Sequence, residues 1–324
     1  MNQTTRTTST IKKGFLVLIS LFLLLNVRNA FAQNIAIDKD IRKNTFIYSV
    51  KDTQTLKMDV YSNQDLKVKK TVILFVFGGG FFTGTRDNKI FNAYFNTLVK
   101  NNYKVVSIDY RLGLKGVKNL SVFNTKPLKN AIDMAAADVY DATAYLIKNA
   151  DKLGIDTSKI ILSGSSAGAI TVLQSDWDKR NHTALTQNLP ENFQYAGVIS
   201  FAGAILSYKG APTYDIPPAP TMLFHGTADK LVVYNKVRFL NKGFFGSNYL
   251  AKRFKKYKYP YYYERVEGMG HEVAGSPMTD NLDDIIWFID TYINKKKQYL
   301  MEVDFNDLNK KRTFTKSAAD LYKK

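Results

Sequence analysis

The segment Gly164-Ser165-Ser166-Ala167-Gly168 constrains this chain more than any other. A short β-branched run at residues 159–162 leads into it and a helical pattern leads out, so the chain must pass from strand to helix in one tight turn with Ser166 at the apex. Of Ser163, Ser165 and Ser166, only Ser166 has glycine at both the second preceding and the second following position. Those glycines let the backbone crowd against itself and lift the Ser166 hydroxyl over the edge of a sheet.

The remaining pattern supplies that sheet. Residues 45–50, 56–61, 72–77, 103–108, 159–162, 195–201, 221–224 and 261–266 read as strands, with helical patterns at about 131–149, after the serine turn, and at about 280–293. Residues 72–77 are apolar throughout, as expected of a strand covered on both faces. The alternation predicts an α/β fold with a mostly parallel eight-stranded sheet and helices on both faces. No internal repeat or low-complexity linker interrupts it, so residues 33–300 are expected to form one domain. Asp138 and Asp141 interrupt the apolar stripe of their helix. Residues 301–324, charged and poorly patterned, are expected to be a basic, frayed tail.

A serine hydroxyl is a weak nucleophile near neutral pH and needs a base, together with a group that fixes the tautomer of that base. The chain has 3 histidines. His182 lies in a polar stretch, and His225 ends a strand, where a packed or hydrogen-bonded role is expected. His271, in Gly268-Met269-Gly270-His271-Glu272, follows the last of the eight strands on a loop able to carry an imidazole over Ser166, and is the expected base. Asp229, on the loop leaving the preceding strand, is the expected acid; Glu272, Asp280 and Asp215 are weaker alternatives. Acyl transfer also needs N–H groups aimed at a developing oxyanion, and Gly78-Gly79-Gly80 ends the third strand. The amides of Gly79, Gly80 and Ala167 are the expected donors. This chemistry requires neither a metal nor an organic cofactor, and none is expected.

Together these pieces resemble the α/β-hydrolase superfamily over roughly residues 45–293, in its carboxylesterase and hormone-sensitive-lipase-like branch. Val76-Phe77-Gly78-Gly79-Gly80-Phe81 resembles the glycine-rich oxyanion motif, Asp109-Tyr110-Arg111-Leu112 the next strand end, and Gly154-Ile155-Asp156 through Gly168 the approach to the nucleophile. Phe77 departs from the histidine usual in the lipase-like group, which removes a side chain able to brace the oxyanion loop. Type-B carboxylesterases often carry an aromatic there but are far longer. The resemblance implies a serine esterase working through an acyl-enzyme on a small-molecule or polysaccharide-linked ester, similar to exported bacterial esterases that remove acetyl or feruloyl groups. A serine peptidase of prolyl-oligopeptidase type, or an inactive secreted binding protein on the same fold, is the alternative. Residues 208–220 and 244–263, rich in Tyr and Phe, are the expected substrate-facing loops, with ordinary packing the competing role for those rings.

At the N-terminus, Lys12 and Lys13 precede the apolar run 15–25 and then Asn29-Ala30-Phe31-Ala32, the pattern of an export signal cut before Gln33. Residues 1–32 are therefore expected to be a leader and the mature chain to be secreted or periplasmic, with no stable membrane insertion after cleavage. The absence of cysteine excludes disulfides, thiol catalysis and a lipid-modified cysteine. The formal charge of +18 comes from lysines spread along the whole chain, with no nucleic-acid-binding motif beside them, so no nucleic-acid partner is expected.

Overall fold

The computed structural model describes residues 35–51, 53–63, 69–118, 124–318 and 320. The expected leader, residues 1–32, lies outside them. The strands are β1 (Ile41–Lys51), β2 (Gln54–Asn63), β3 (Lys70–Val76), β4 (Lys104–Ile108), β5 (Ile155–Ser165), β6 (Gly197–Phe201), β7 (Ala204–Ser207), β8 (Thr221–Gly226), β9 (Lys236–Phe239), β10 (Lys242–Gly246), β11 (Tyr261–Val266) and β12 (Leu300–Phe305). The principal helices are α1 (Asn92–Lys100), α2 (Lys126–Lys148), α3 (Ala167–Arg180), α4 (Ser247–Tyr257) and α5 (Leu282–Phe288).

The central sheet has nine strands in the order β1-β2-β4-β3-β5-β6-β8-β11-β12, parallel from β4 onward and antiparallel at β1 and β2. From β3 the chain winds one way to β4, then returns to place β5, β6, β8 and β11 on the other side. The order therefore reverses between β3 and β5, and in open α/β sheets the crevice at the carboxyl ends of such a pair is where ligands bind. The glycine loop follows β3 and Ser166 follows β5, so both expected halves of the site fall at that crevice.

The strands form for the reason read in the sequence. Along β4, β6 and β8 every residue is buried, because helices cover both faces and no polar face is needed. Helix α1 packs on α5 and helix α2 on α3, which gives the sheet its two covering layers. Phe75 of β3 is wholly buried and meets the rings of Phe91, Tyr94 and Phe95 at 4.7, 5.9 and 5.2 Å. Truncating such a ring to alanine costs about 3–5 kcal/mol.

Two features depart from the sequence expectation. The ninth strand, β12, comes from the segment expected to fray. It pairs in parallel with β11, and its charges are matched across the strands: Arg265 meets Asp304 and also Glu302, at 2.7 Å, while Tyr261 donates to Glu302 at 2.5 Å. Cross-strand pairing of this kind stabilises an edge strand that has no apolar alternation to reveal it. The second feature is a small antiparallel sheet, β7-β10-β9, whose outer strand β9 is fully exposed. Among the described residues, no helix is long and apolar enough to cross a membrane.

Candidate active site

Ser166 sits at φ 52°, ψ −117°, a conformation that L-residues rarely adopt and that holds its hydroxyl out from the turn. The turn exists only because its flanks are glycine. A Cβ on Gly164 would lie 2.4 Å from Gly168 O, and one on Gly168 would lie 2.0 Å from Val76 O. The Ser166 amide donates to Phe201 O at 2.9 Å, which ties the turn to β6.

His271 opens a short 3₁₀ turn, His271–Ala274, after β11. Ser165, next to the candidate nucleophile, donates from Oγ to Ala274 O at 2.7 Å and so fastens that turn to the end of β5. The loop also binds the one that carries Asp229: Ala228 N donates to Met269 O at 2.9 Å, and Gly268 N to Thr227 Oγ1 at 2.9 Å. Three segments distant in sequence are thereby held together by hydrogen bonds that do not involve the reacting groups.

Ser166 Oγ lies 2.7 Å from His271 Nε2, and His271 Nδ1 lies 2.7 Å from Asp229 Oδ2. With Nδ1–H donating to the carboxylate, Nε2 is left to accept the serine proton. Asp229 is 8% exposed and its Oδ1 accepts from the amides of Leu231 at 2.8 Å and Val232 at 3.0 Å. Burial by itself would raise its pKa, but hydrogen bonds and charge from His225 and His271 hold the carboxyl well below the usual carboxylate range. It is an ionised group that can stabilise an imidazolium.

The glycine loop lies against this relay. A Cβ on Gly78 would come within 3.1 Å of Ser166 Cβ, so the loop touches the candidate nucleophile. Gly79 has φ +121°, and its carbonyl accepts from Phe82 N and Thr83 N at 3.0 and 3.2 Å, closing a tight turn. Among the described residues, the amides of Gly79, Gly80 and Ala167 make no hydrogen bond, as donors reserved for a ligand oxygen would. Phe77, expected to leave the loop without a brace, supplies one itself. Its ring packs on Tyr110 at 4.5 Å, and Tyr110 Oη donates to Phe77 O at 3.0 Å.

The other candidates separate clearly. His182 is exposed beyond the end of α3, and the Asp215 amide bonds Asn181 in the same region. Asp280 pairs with Lys310 at 2.7 Å. Glu272 turns away from His271, accepting from Gly270 N at 2.9 Å and Phe314 N at 3.0 Å. His225 has the expected hydrogen bonds, but it also stands beside Asp229, a contact that no residue pattern signals. Some rings of the two loops expected to face substrate pack away from Ser166: Tyr214 meets Phe254 and Tyr259, each at 6.1 Å, around a 210 Å³ cleft near the start of β11, the end of the strand away from His271, whereas Tyr208 Oη bonds Thr125 Oγ1 at 2.6 Å. Asp138, the polar break in α2, receives Arg111 at 2.8 Å. Among the described residues, no group of three or more His, Asp or Glu side chains is placed to hold a metal ion.

The strand order and the strained serine turn after β5 give this chain the α/β-hydrolase fold. Comparison with known proteins agrees with that fold. The BD-FAE family profile matches residues 58–207, from β2 through the serine turn to β7. Acetylcholinesterase 1 of Caenorhabditis briggsae is 31% identical over 121 residues, which are 37% of this chain and 18% of that enzyme. The chain thus spans under a fifth of that relative's length. Two solved structures share the fold over most of their lengths. Esterase 2 of Thermogutta terrifontis has a TM-score of 0.56 at 22% identity, covering 78% of this chain and 94% of its own. Esterase B of Lactobacillus Rhamnosis (HN001) has a TM-score of 0.59 at 17% identity, covering 88% and 96%. Structures of the Thermogutta enzyme include forms with butyrate bound and phosphorylated by paraoxon.

Proposed function

We propose that this protein is a serine esterase that cleaves carboxylic esters through an acyl-enzyme. The observation that carries the reading is the unbroken relay from Ser166 through His271 to Asp229, at 2.7 Å for each link, beside three unengaged amides. His271 Nε2 takes the Ser166 proton as Oγ attacks the ester carbonyl, and the resulting oxyanion is received by the amides of Gly79, Gly80 and Ala167. His271 then gives the proton to the departing alkoxide. Water, deprotonated by the same nitrogen, attacks the acyl-enzyme and frees Ser166. Asp229 stays ionised throughout and balances the imidazolium. The butyrate-bound relative supports short acyl groups as substrates, with acetyl or feruloyl esters on polysaccharides the finer reading to screen. We also read residues 1–32 as an export leader, which sets this chemistry outside the cytoplasm.

The test is hydrolysis of p-nitrophenyl acetate and butyrate by the chain from Gln33 onward, beside Ser166→Ala and His271→Ala. Each substitution is expected to lower kcat by roughly 10⁴-fold or more. Wild-type inactivity, or activity that survives Ser166→Ala, would end this reading.

A further inference from the structure

Beyond β12 the chain runs back over the carboxyl ends of the strands. It is held there by three contacts: Lys310 pairs with Asp280 at 2.7 Å, Phe314 N donates to Glu272 Oε2 at 3.0 Å, and Ala318 N donates to Lys230 O at 3.1 Å. The middle contact falls on Glu272, the residue next to the candidate base. The Phe314 ring meets the His271 ring edge-on, with centroids 5.4 Å apart. Glu272, the residue after His271, holds the Gly270 amide with one carboxylate oxygen and the Phe314 amide with the other. It therefore joins the segment to the histidine loop. Gly270 also fits this approach, because a Cβ there would lie 2.3 Å from Phe314 O.

We infer that Phe314 is a positioning residue for His271, carried by a C-terminal strap that Glu272 clips in place. The inference rests on the esterase reading for its kinetic part alone. During turnover the imidazole must serve Ser166 Oγ, the leaving oxygen and a water in sequence, and a ring free to rotate toward solvent spends part of its time in an unproductive orientation. The strap leaves His271 only 8% exposed and fills the space such a rotation needs. Small misplacements of a reacting group are expensive: about 1 Å can lower a rate roughly 100-fold.

The test compares Phe314→Ala with the conservative Phe314→Tyr, and with Leu308→Ala as a control on the same segment, where Leu308 is 89% exposed. Two quantities are read: kcat and KM on p-nitrophenyl acetate, and the rate at which diethyl pyrocarbonate modifies His271, scaled to exposed His182 by mass spectrometry. Phe314→Ala is expected to lower kcat about tenfold with KM within about twofold, and to speed His271 modification several-fold. Phe314→Tyr should restore both and Leu308→Ala should change neither. Unchanged modification of His271 in Phe314→Ala, or unchanged kcat, overturns the inference. The modification rate needs no turnover, so a protein that hydrolyses no ester yet exposes His271 on losing Phe314 would sink the esterase reading while upholding the strap.

Discussion

His225 Nε2 lies 3.4 Å from Asp229 Oδ2, the same carboxylate oxygen that accepts from His271 Nδ1. Its other neighbour at that nitrogen is Val232 O at 3.2 Å, and both are acceptors, so Nε2 carries the proton. On the far side of the ring, Nδ1 then accepts from Ser247 Oγ at 2.8 Å. The imidazole is wholly buried, and it fixes the orientation of the acid from behind.

Removing that support separates two roles. His225→Leu leaves Val232 O without a partner and Ser247 Oγ with Gly203 O at 3.4 Å alone, a loss of about 1–3 kcal/mol for a buried group left unsatisfied, and lets Asp229 turn. His225→Gln keeps a donor near the Asp229 carboxylate. We expect kcat on p-nitrophenyl acetate to fall on the order of tenfold or more in His225→Leu, and less in His225→Gln. Equal losses in the two variants would show that His225 acts through packing alone.

The oxyanion loop gives a sharper expectation. Gly79 has φ +121°, and a Cβ there would stand 2.0 Å from Thr83 O, so Gly79→Ala must open the turn. Loss of a single oxyanion donor lowers kcat by about 10²–10³-fold. Steady-state kinetics on aryl esters should show a fall of that size with little change in KM, and a variant within tenfold of wild type would place the oxyanion elsewhere.

Backbone strain at Ser166 is measurable as stability. Ser166→Ala keeps a Cβ at φ 52°, whereas Ser166→Gly removes it. Relief of a strained non-glycine conformation is worth about 1–3 kcal/mol, against roughly 0.5–1 kcal/mol for the added freedom of glycine in the unfolded chain. Urea denaturation is therefore expected to find Ser166→Gly more stable than Ser166→Ala by about 1 kcal/mol, although both are inactive. The reverse order would mean that the turn is unstrained.

Asp178 sets a pH dependence remote from the chemistry. Burial pushes its carboxyl up to about 6, with Tyr140 Oη at 3.1 Å and Gln174 Nε2 at 3.4 Å as hydrogen-bond donors. The folded chain thus keeps this proton to higher pH than the unfolded chain does. Asp178 therefore favours folding at low pH, and that contribution is lost as pH rises from about 4 through about 6. Asparagine avoids the buried charge and can donate to Gln174 Oε1, a buried acceptor with no partner. Asp178→Asn is expected to stabilise the fold by on the order of 2 kcal/mol at pH 8 and by much less near pH 4, read as the difference in urea midpoints.

Eight of the nine central strands were legible from their β-branched and aromatic residues, most plainly β3, which is covered on both faces and is apolar without a break over 72–76. Ser166, Asp229 and His271 were legible because the turn that carries the serine, and the loops after β8 and β11, each have a local signature. What stayed hidden depends on partners distant in the chain. Glu302 and Asp304 read as a solvated charge run until Arg265 and Tyr261 are placed beside them. His225 reads as a packed strand end until the loop after β8 folds Asp229 back onto it. Glu272 and Phe314 are 42 positions apart and neither lies in a motif. The aromatic residues of 208–220 and 244–263 were visible in composition, but composition carries no information about which end of the sheet a ring occupies.

Because β12 and the residues that cover His271 follow every other strand of the sheet in chain order, the neighbourhood of the candidate base is completed only after all of those strands have been made. Synthesis runs from the N-terminus, so the segments of β3 and β5 emerge before the residues that cover His271 exist. A chain that ends short of residue 312, or one anchored through its C-terminus to a surface or a bulky fusion, would have the whole relay in sequence but not the contacts that close over it. Immobilisation through the N-terminal side leaves those contacts free to form.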